Sequence, residues 1–385
     1  MPNNNYDVII IGAGSVGTPT AMMLSENGLK VMVIDRFASA GQGSNKTAIG
    51  GIRATHSDVA KIKLCQTSIE IFSRWKELHG DDIEWIQGGY LFVAYREEER
   101  NTLKELLKNQ KSYGLKIEWL DKHELLKLVP DLNPTALLGG TYSSQDGNAS
   151  PLLANHAFFH RAQLQGAVFN FKTEITGLLI QKDQIQGVIT NKGIFYAPIV
   201  INAAGAWAKQ IGSMANIELP VEPDSHEAGI TEAVQRFFFP LIVDIRPEIQ
   251  SSNFYFYQHY TGQVVFCLTP SPNQWGFDTR ETSAFLPLVS KRLLQIMPRL
   301  QNIRVRRTWR GLYPMTPDGF PIIGFSSEVK GFLQAVGMCG QGFMLGPGVG
   351  ALISRLINGT TTKTDHEILQ LLSPDRQFVN QEMLK

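Results

Sequence analysis

The sequence predicts an α/β protein with a Rossmann-like first domain and a second, α+β domain built on a large antiparallel or mixed sheet. Two stretches carry this prediction. Residues 6–36 run from an apolar strand through a glycine-rich turn and a helix to a second apolar strand, which is the pattern of a dinucleotide-binding unit. From residue 220 onward, short alternating segments such as NFYFYQHY and GQVVFCLTPS are typical of antiparallel strands.

The first glycine-rich turn has the spacing of a pyrophosphate-binding site. Gly12, Gly14 and Gly17 form a G-x-G-x-x-G pattern directly after the apolar run Val8–Ile11. Glycines allow a tight turn, a close approach of the backbone to a phosphate and close packing of helix on strand. The second strand, LKVMVID, ends at Asp35, where a carboxylate suits the hydroxyl groups of an adenosine ribose. A chance glycine turn between two core strands is the less favoured explanation.

The composition argues against several classes of protein. Lys and Arg total 36 against 35 Asp and Glu, so there is no basic field to attract nucleic acid. No apolar run approaches the ~20 residues of a membrane-spanning helix, and the polar start MPNNNYD leads us to expect no signal peptide. Cys65, Cys267 and Cys339 show no C-x-x-C spacing, which argues against a disulfide framework or a metal site. We expect a cytoplasmic protein.

Helical and strand periods continue along the chain. We expect helices within residues 59–79, 96–114, 120–132, 281–297 and 342–357 and from Pro151 onward, and strands within residues 84–95 and 167–202. Residues 139–150, GGTYSSQDGNAS, are rich in glycine and small polar residues and are expected to form a loop that leads into the helix at Pro151.

Three further segments rich in small residues suggest where a ligand lies. Residues 40–58 follow the carboxyl end of the second strand, where open α/β sheets bind ligands. Residues 203–205 interrupt a buried strand, and residues 337–344 precede a helix whose N-terminus can face a developing negative charge. An NAD dehydrogenase usually continues with further strand and helix units, whereas this discontinuous layout suits an extended FAD.

Four larger side chains are candidate ligand contacts, and each has an ordinary structural alternative. Arg53 follows two glycines and either binds a substrate carboxylate in a bidentate pair or belongs to a surface ion pair. Trp207 either covers a ligand or packs in the core. Tyr255 and Tyr257 share one face of an alternating strand, where they either line a pocket or pack on a helix.

Taken together, the motifs resemble the D-amino-acid oxidase family of flavoenzymes. The closest branch holds sarcosine oxidase, glycine oxidase and the β subunits of heteromeric sarcosine oxidase and proline dehydrogenase. The resemblance covers essentially the whole chain and rests on VIIIGAGSVG with Asp35 and Arg36, GSNKTAIGGIR, INAAGAWA, WRGLYPMTPDGFPIIG and VGMCGQGFMLGPGVG. It implies FAD as the cofactor and hydride transfer to flavin N5 from a carbon that bears an amine.

The resemblance also implies roles for individual residues. Arg53 would hold the substrate carboxylate, and Tyr257 and Tyr313 would shape the substrate pocket. The implied FAD contacts are Gly12, Gly14, Ser15 and Gly17 at the pyrophosphate, Asp35 and Arg36 at the ribose, Ser44, Asn45, Thr47, Ala48, Gly50 and Gly51 along the linker and flavin, Ile175 near the adenine, Ala204, Gly205 and Trp207 in the second cofactor stretch, and Gly311, Gly340, Gln341, Gly342, Phe343 and Met344 around the flavin.

Several positions depart from the relatives. Monomeric sarcosine oxidase attaches its flavin through a Cys at the position of Gly311, so we expect non-covalent FAD here. Sarcosine oxidases have Lys at the position of Met344, and glycine oxidase has Arg at the position of Tyr313. Because this second cationic anchor is missing, neither sarcosine nor glycine is favoured as the substrate. Many relatives carry His at the position of Gln341, a change that is compatible with flavin binding.

The sequence therefore predicts an FAD-dependent oxidoreductase that oxidises the C–N bond of a small or N-substituted amino acid to an imine, which water hydrolyses. Oxygen or another acceptor would reoxidise the flavin. The alternative is a catalytic β-type subunit of a hetero-oligomeric amine dehydrogenase that passes electrons to a partner protein. We expect residues 1–85, 146–217 and 310–385 to form the FAD-binding domain and residues 86–145 and 218–309 to form the substrate domain.

Overall fold

The computed structural model describes residues 4–379 and 381–384 and confirms the predicted fold class. The strands are β1 (Val8–Ile11), β2 (Val31–Ile34), β3 (Gly51–Ile52), β4 (Tyr90–Ala94), β5 (Ile117–Asp121), β6 (Gly139–Ser143), β7 (Gly147–Asn148), β8 (Val168–Asn170), β9 (Ile175–Gln181), β10 (Gln184–Thr190), β11 (Gly193–Tyr196), β12 (Ile199–Asn202), β13 (Glu222–Ala233), β14 (Leu241–Asp244), β15 (Ser251–Gln258), β16 (Gln263–Pro270), β17 (Val305–Met315), β18 (Ile322–Phe325) and β19 (Phe332–Val336). The α-helices are α1 (Gly17–Glu26), α2 (Val59–His79), α3 (Glu97–Ser112), α4 (Lys122–Leu128), α5 (Pro151–Leu164), α6 (Ala208–Ser213), α7 (Phe285–Ile296), α8 (Gly342–Ile357) and α9 (Lys363–Leu371).

The first large sheet has six strands in the order β18-β19-β12-β1-β2-β8. All neighbours are parallel except β18, which runs antiparallel to β19. Val8 and Ile10 pack on the side of α1, α2 and α8, whereas Ile9 and Ile11 pack on the side of the three-stranded sheet β9–β11. Because β1 is covered on both faces, its residues form a continuous apolar run.

The second large sheet has eight strands in the order β17-β13-β16-β15-β14-β4-β6-β5, and only the β14–β4 pair is parallel. One face packs on α4 and α7, and the other carries α3. The six-stranded sheet lies within the residues predicted for the FAD-binding domain, but β17 crosses the predicted boundary at residue 310. The division into domains stays a prediction.

Capping side chains and prolines explain where several of the helices begin. The predicted helix in residues 59–79 is confirmed as α2, and the side chain of Asp58 caps it by accepting from Ala60 N. Ser150 caps α5, and Pro151 occupies its first turn, as expected. Pro19 is tolerated in α1 because it lies in the first turn, where backbone N–H groups have no partner within the helix.

The prediction of a loop over residues 139–150 is wrong in its first half, because residues 139–143 form β6 between β4 and β5. A side chain at Gly139 would lie 2.5 Å from the ring of Trp119, and one at Gly140 would lie 2.4 Å from the carbonyl oxygen of Phe92. These glycines therefore serve close packing within a sheet rather than a turn.

Within residues 4–379 and 381–384, no helix is long and apolar enough to cross a bilayer. The same residues contain no group of three or more His, Cys, Asp or Glu side chains arranged to hold a metal ion.

Glycines in α8 bring the end of the chain against its beginning. A Cβ atom at Gly346 would lie 1.8 Å from the carbonyl oxygen of Ser15, in the turn before α1. A Cβ atom at Gly348 would lie 2.1 Å from the carbonyl oxygen of Leu64 in α2. The contact at Gly346 joins α8 to the first glycine-rich turn, so each of these two segments fixes the position of the other.

We expect Gly346→Ala to lower the free energy of unfolding of the flavin-free protein by about 1–3 kcal/mol, because the added methyl group must push α8 away from Ser15. Urea denaturation followed by circular dichroism measures this change. The control is Gly177→Ala, whose Cβ atom would meet its nearest neighbour at 3.5 Å. Equal midpoints for the two variants would contradict the close packing of α8 on the turn.

Candidate active site

A long cleft lies between the carboxyl ends of β1, β2 and β12 and one face of the eight-stranded sheet. The glycine-rich segments from the start, middle and end of the chain all line it. Every residue that sequence analysis expected at the site lines the cleft, except Gly17 and Tyr257. The cleft therefore brings together segments that are more than three hundred residues apart along the chain, such as Gly12 and Gly340.

The three glycines of the first turn have different structural roles. Gly12 adopts φ 111°, and a Cβ atom there would lie 2.4 Å from the carbonyl oxygen of Ala203. Gly17 supports the turn from behind, because a Cβ atom there would lie 1.9 Å from the carbonyl oxygen of Gly12. Only Gly14 faces open space, with nothing within 4 Å of the position of a Cβ atom. Gly17 thus packs the helix, and Gly12 and Gly14 line the cleft.

Asp35 ties the turn to the segment that follows β2. Its Oδ2 accepts from the backbone N–H of Ala13 at 2.7 Å, and its Oδ1 accepts from that of Phe37 at 2.8 Å. Burial raises the pKa of Asp35, and these two backbone hydrogen bonds act in the opposite direction. Beside it, the guanidinium of Arg36 lies 4.7 Å from the ring centre of Trp207. Trp207 is half-buried in the cleft wall, so it is not an ordinary core residue.

The small-residue segment 40–58, which follows β2, is fixed to the eight-stranded sheet. It contains a short 3-10 helix, Ser44–Thr47, although sequence analysis expected no regular structure beyond a loop here. The hydroxyl of Ser44 donates to the carbonyl oxygen of Leu312 at 2.8 Å, and the indole N–H of Trp309 donates to that of Thr47 at 2.8 Å. Both contacts lie on β17, so the loop and the sheet position each other.

Gly311 and Gly340 mark the end of the cleft nearest the eight-stranded sheet. A Cβ atom at Gly311 would lie 2.2 Å from Oγ1 of Thr47. A Cβ atom at Gly340, which has φ 78°, would lie 2.2 Å from the ring of Tyr313. Neither position has room for a side chain unless Thr47 or Tyr313 moves. The N-terminus of α8 follows directly, at Gly342.

A pair of tyrosines forms part of the sheet-side wall. The hydroxyl groups of Tyr255 and Tyr313 are 2.7 Å apart, and Sγ of Cys267 lies 4.0 Å from the hydroxyl of Tyr313. Burial raises the pKa of both tyrosines well above the ordinary value, so both phenols are neutral. Tyr257 is not part of this wall: its hydroxyl donates to the carbonyl oxygen of Ile49 at 2.6 Å. Tyr255, for which sequence analysis left pocket lining and helix packing open, lines the cleft.

Sequence analysis also missed His226. This buried side chain lines the cleft, and its ring stacks on Tyr313 with the ring centres 3.8 Å apart. Nε2 lies 3.0 Å from Oδ2 of Asp224, whereas Nδ1 has no hydrogen-bond partner among the described residues. Burial would raise the pKa of Asp224, but hydrogen bonds from His226 and Asn273 hold it below the ordinary value. The alternating pattern of β13 was the only sequence signal for His226. The pattern becomes informative only when the register of β13 with β17 is known, because that register places His226 opposite Gly311.

Arg53 is buried in the cleft wall and does not form the surface ion pair that was the alternative expectation. It is 6% exposed, and its N–H groups donate to the backbone carbonyls of Thr55 and Leu384. Its guanidinium carbon lies 5.5 Å from the ring centre of Phe92. The carboxylate of Asp146 accepts from the hydroxyl of Thr55 at 2.7 Å and so fixes the chain just beyond Arg53. The guanidinium is therefore held by neutral groups.

The cleft fits the FAD that the sequence resemblance implies. Gly14 leaves space at the first turn, as close approach of a pyrophosphate requires. Asn45 and Gln341 line the cleft, and Oδ1 of Asn45 and Oε1 of Gln341 are buried acceptors that have no hydrogen-bond partner among the described residues. A nucleotide with donor groups along its length would satisfy such acceptors. The glycine-rich segments would then hold the nucleotide, and the tyrosine wall would face its ring.

Comparisons with known proteins agree with this geometry. The protein family described as DAO, FAD dependent oxidoreductase, matches residues 7–356. The crystal structure of L-proline dehydrogenase from P. horikoshii superposes with a TM-score of 0.89 and 32% identity, covering 97% of this chain and 98% of that one. Glycine oxidase from Geobacillus kaustophilus is 26% identical over 94% of this chain and 95% of its own length. Hydrogen cyanide synthase subunit HcnC from Pseudomonas aeruginosa is 27% identical over 94% of this chain and 95% of its own length. The chain thus belongs to the DAO family of FAD-dependent oxidoreductases.

Proposed function

We propose that this flavoprotein oxidises the C–N bond of a small or N-substituted amino acid with one carboxylate, such as a proline-like, glycine-like or sarcosine-like compound. The observation that carries the proposal is the buried guanidinium of Arg53, which lines the same cleft as the glycine-rich segments and donates to neutral carbonyls. Among the described residues Arg53 forms no ion pair within 4 Å, although the buried carboxylate of Asp146 is near enough to interact with its charge. A buried guanidinium without a direct ion pair favours an anionic ligand. The names of the relatives, proline dehydrogenase and glycine oxidase, support the same substrate class.

In this proposal Arg53 binds the substrate carboxylate and so fixes the orientation of the α carbon. The neutral Tyr255–Tyr313 pair shapes part of the sheet-side wall without adding charge. His226 lines the cleft and has a buried Nδ1 without a hydrogen-bond partner among the described residues, which would suit an N–H group of the substrate. Bound FAD supplies the hydride acceptor for oxidation of the amine to an imine, which water hydrolyses.

In this proposal the N-terminus of α8 stabilises negative charge at one end of the cleft. Gly340, Gln341 and Gly342 line the cleft at the point where the helix begins. The helix dipole and free N–H groups there favour negative charge. A reduced flavin gains negative charge, so this end of the cleft would stabilise the product of hydride transfer. The buried contacts of α8 with α1 and α2 keep its N-terminus in place.

We expect Arg53→Lys to raise the KM of an amino-acid substrate by about 10- to 100-fold, because Lys keeps the charge but loses the two-pronged hydrogen bond. The matched control is the corresponding amine without a carboxylate, whose kcat/KM should change much less. Steady-state kinetics of both compounds, after a screen for amines that bleach the flavin anaerobically, measure the difference. An unchanged KM for the amino acid would remove Arg53 from the substrate site.

We also propose that FAD binds without a covalent bond at position 311. Gly311 carries no side chain, and the space where one would begin is filled by Thr47. Acid precipitation of the holoprotein should therefore release the yellow chromophore into the supernatant, where its absorbance is measured. Colour that stays with the washed protein pellet would contradict this proposal.

A second candidate concerns the electron acceptor. One relative with 27% identity is named as a subunit, HcnC, which supports a catalytic subunit that passes electrons to a partner protein rather than to oxygen. Hydrogen peroxide formed by the isolated chain during amine oxidation favours the oxidase. Turnover with a dye acceptor but without peroxide favours the subunit. The three free cysteines are all buried, and they support the cytoplasmic location that we propose for either candidate.

A further inference from the structure

The C-terminal residues reach the wall of the active-site cleft. Beyond α9, the backbone N–H of Glu382 donates to the carbonyl oxygen of Asp318 at 3.0 Å, and the carboxylate of Asp318 pairs with Arg376 at 2.9 Å. We refer to residues 381–384 as the C-terminal tail. Leu384 is 1% exposed and packs in the apolar cluster that contains Phe92. The tail is therefore part of the core next to the cleft.

Glu382 anchors the tail through a buried ion pair. Its carboxylate lies 2.8 Å from Nζ of Lys61, and both side chains are fully buried. The same carboxylate accepts from the backbone N–H of Ser57 at 3.1 Å and from its hydroxyl at 2.6 Å. Burial would raise the pKa of Glu382, but the charge of Lys61 and the hydrogen bond from Ser57 hold it well below the ordinary value. The tail is thus fixed by a charged carboxylate to the segment that follows Arg53.

The last described residue of the tail contacts Arg53 itself. The carbonyl oxygen of Leu384 accepts from Nη2 of Arg53, and that of Thr55 accepts from Nη1. Nη1 also lies 3.2 Å from Nδ1 of His56. Burial holds the pKa of His56 well below the ordinary value, so its ring is neutral. All the groups that hold the guanidinium are therefore uncharged.

We propose that the C-terminal tail, through Glu382 and Leu384, positions Arg53 for binding the substrate carboxylate. This inference rests on the proposed function of Arg53. An arginine side chain loses considerable rotamer freedom when it is immobilised, and holding it in place beforehand removes that cost from ligand binding. Carbonyl acceptors fix the guanidinium without neutralising it. Because a guanidinium has five N–H donors, others remain available to the substrate.

The test measures binding of acetate to the FAD-loaded, full-length protein by the change in flavin absorbance. Leu384→Ala loosens the end of the tail but keeps the Lys61–Glu382 pair. We expect it to raise the dissociation constant of acetate about tenfold, the cost of immobilising one long side chain. Met383→Ala is the matched control, because Met383 is the adjacent residue and is 55% exposed. It should bind acetate like the wild type.

Two further measurements test whether the tail positions Arg53 or only stabilises the packing of the cleft as a whole. Acetamide has the shape of acetate without its charge, so loss of Arg53 positioning should weaken acetate binding and leave acetamide unaffected. In the Arg53→Lys background, Leu384→Ala should add less than about a twofold effect, because the tail acts through the guanidinium. A chain that ends at Glu382 provides a second variant without Leu384. This shortened chain keeps the Lys61–Glu382 ion pair. It takes the place of Leu384→Ala if that variant fails to retain FAD.

The outcomes distinguish this inference from the proposed function. Unchanged or tighter binding of acetate to Leu384→Ala overturns the positioning role, and tighter binding indicates that the tail competes with the carboxylate. Equal weakening of acetate and acetamide, or additive effects with Arg53→Lys, also overturns it. If acetate binds the wild type and Arg53→Lys equally, or binds neither, the proposed role of Arg53 fails and the inference fails with it.

Discussion

Close backbone contact around the turn between β1 and α1 is the constraint on which the active site depends. The carbonyl of Ala203 lies against Gly12, and the carbonyl of Ser15 lies against Gly346. Each contact leaves no room for a Cβ atom, so three segments far apart in sequence meet within one small volume. This convergence produces a cleft whose walls come from the start, middle and end of the chain. A side chain at Gly12 or Gly346 would separate the segments and change the shape of the cleft.

Electrostatic arrangement gives the cleft its chemical character. Arg53 is held by neutral carbonyls, and the tyrosine pair on the sheet-side wall is kept neutral by burial. Nearby carboxylates are hydrogen-bonded or paired elsewhere: Asp35 accepts from backbone N–H groups, Asp146 accepts from Ala54 N–H and the Thr55 hydroxyl, and Glu382 pairs with Lys61. At the sheet end of the cleft, Arg53 therefore offers positive charge to a ligand near the neutral tyrosine wall. Such a site discriminates by the presence of a carboxylate and by shape.

Much of the fold and of the nucleotide site could be predicted because the signals are local. Gly12, Gly14 and Asp35 lie within one βαβ unit of fixed spacing, and the helical period of residues 59–79 needs no partner to be recognised. Other features depend on pairing between distant strands. The choice of Tyr255 over Tyr257 and the position of His226 follow from the registers of β13, β15 and β17. The contact between Leu384 and Arg53 spans nearly the whole chain, so no local pattern could indicate it.

The central claim is that distant glycine-rich segments bind one extended dinucleotide, with the adenosine end at Asp35 and the ring end at Gly340. The most direct measurement is calorimetric titration of the flavin-free protein with FAD and with FMN, which lacks the adenylate portion. Contacts along the whole cleft predict that FAD binds at least ~100-fold more tightly than FMN, since two or three lost hydrogen bonds are worth about 3 kcal/mol. Equal affinities for FAD and FMN, or no binding of either, would contradict the account.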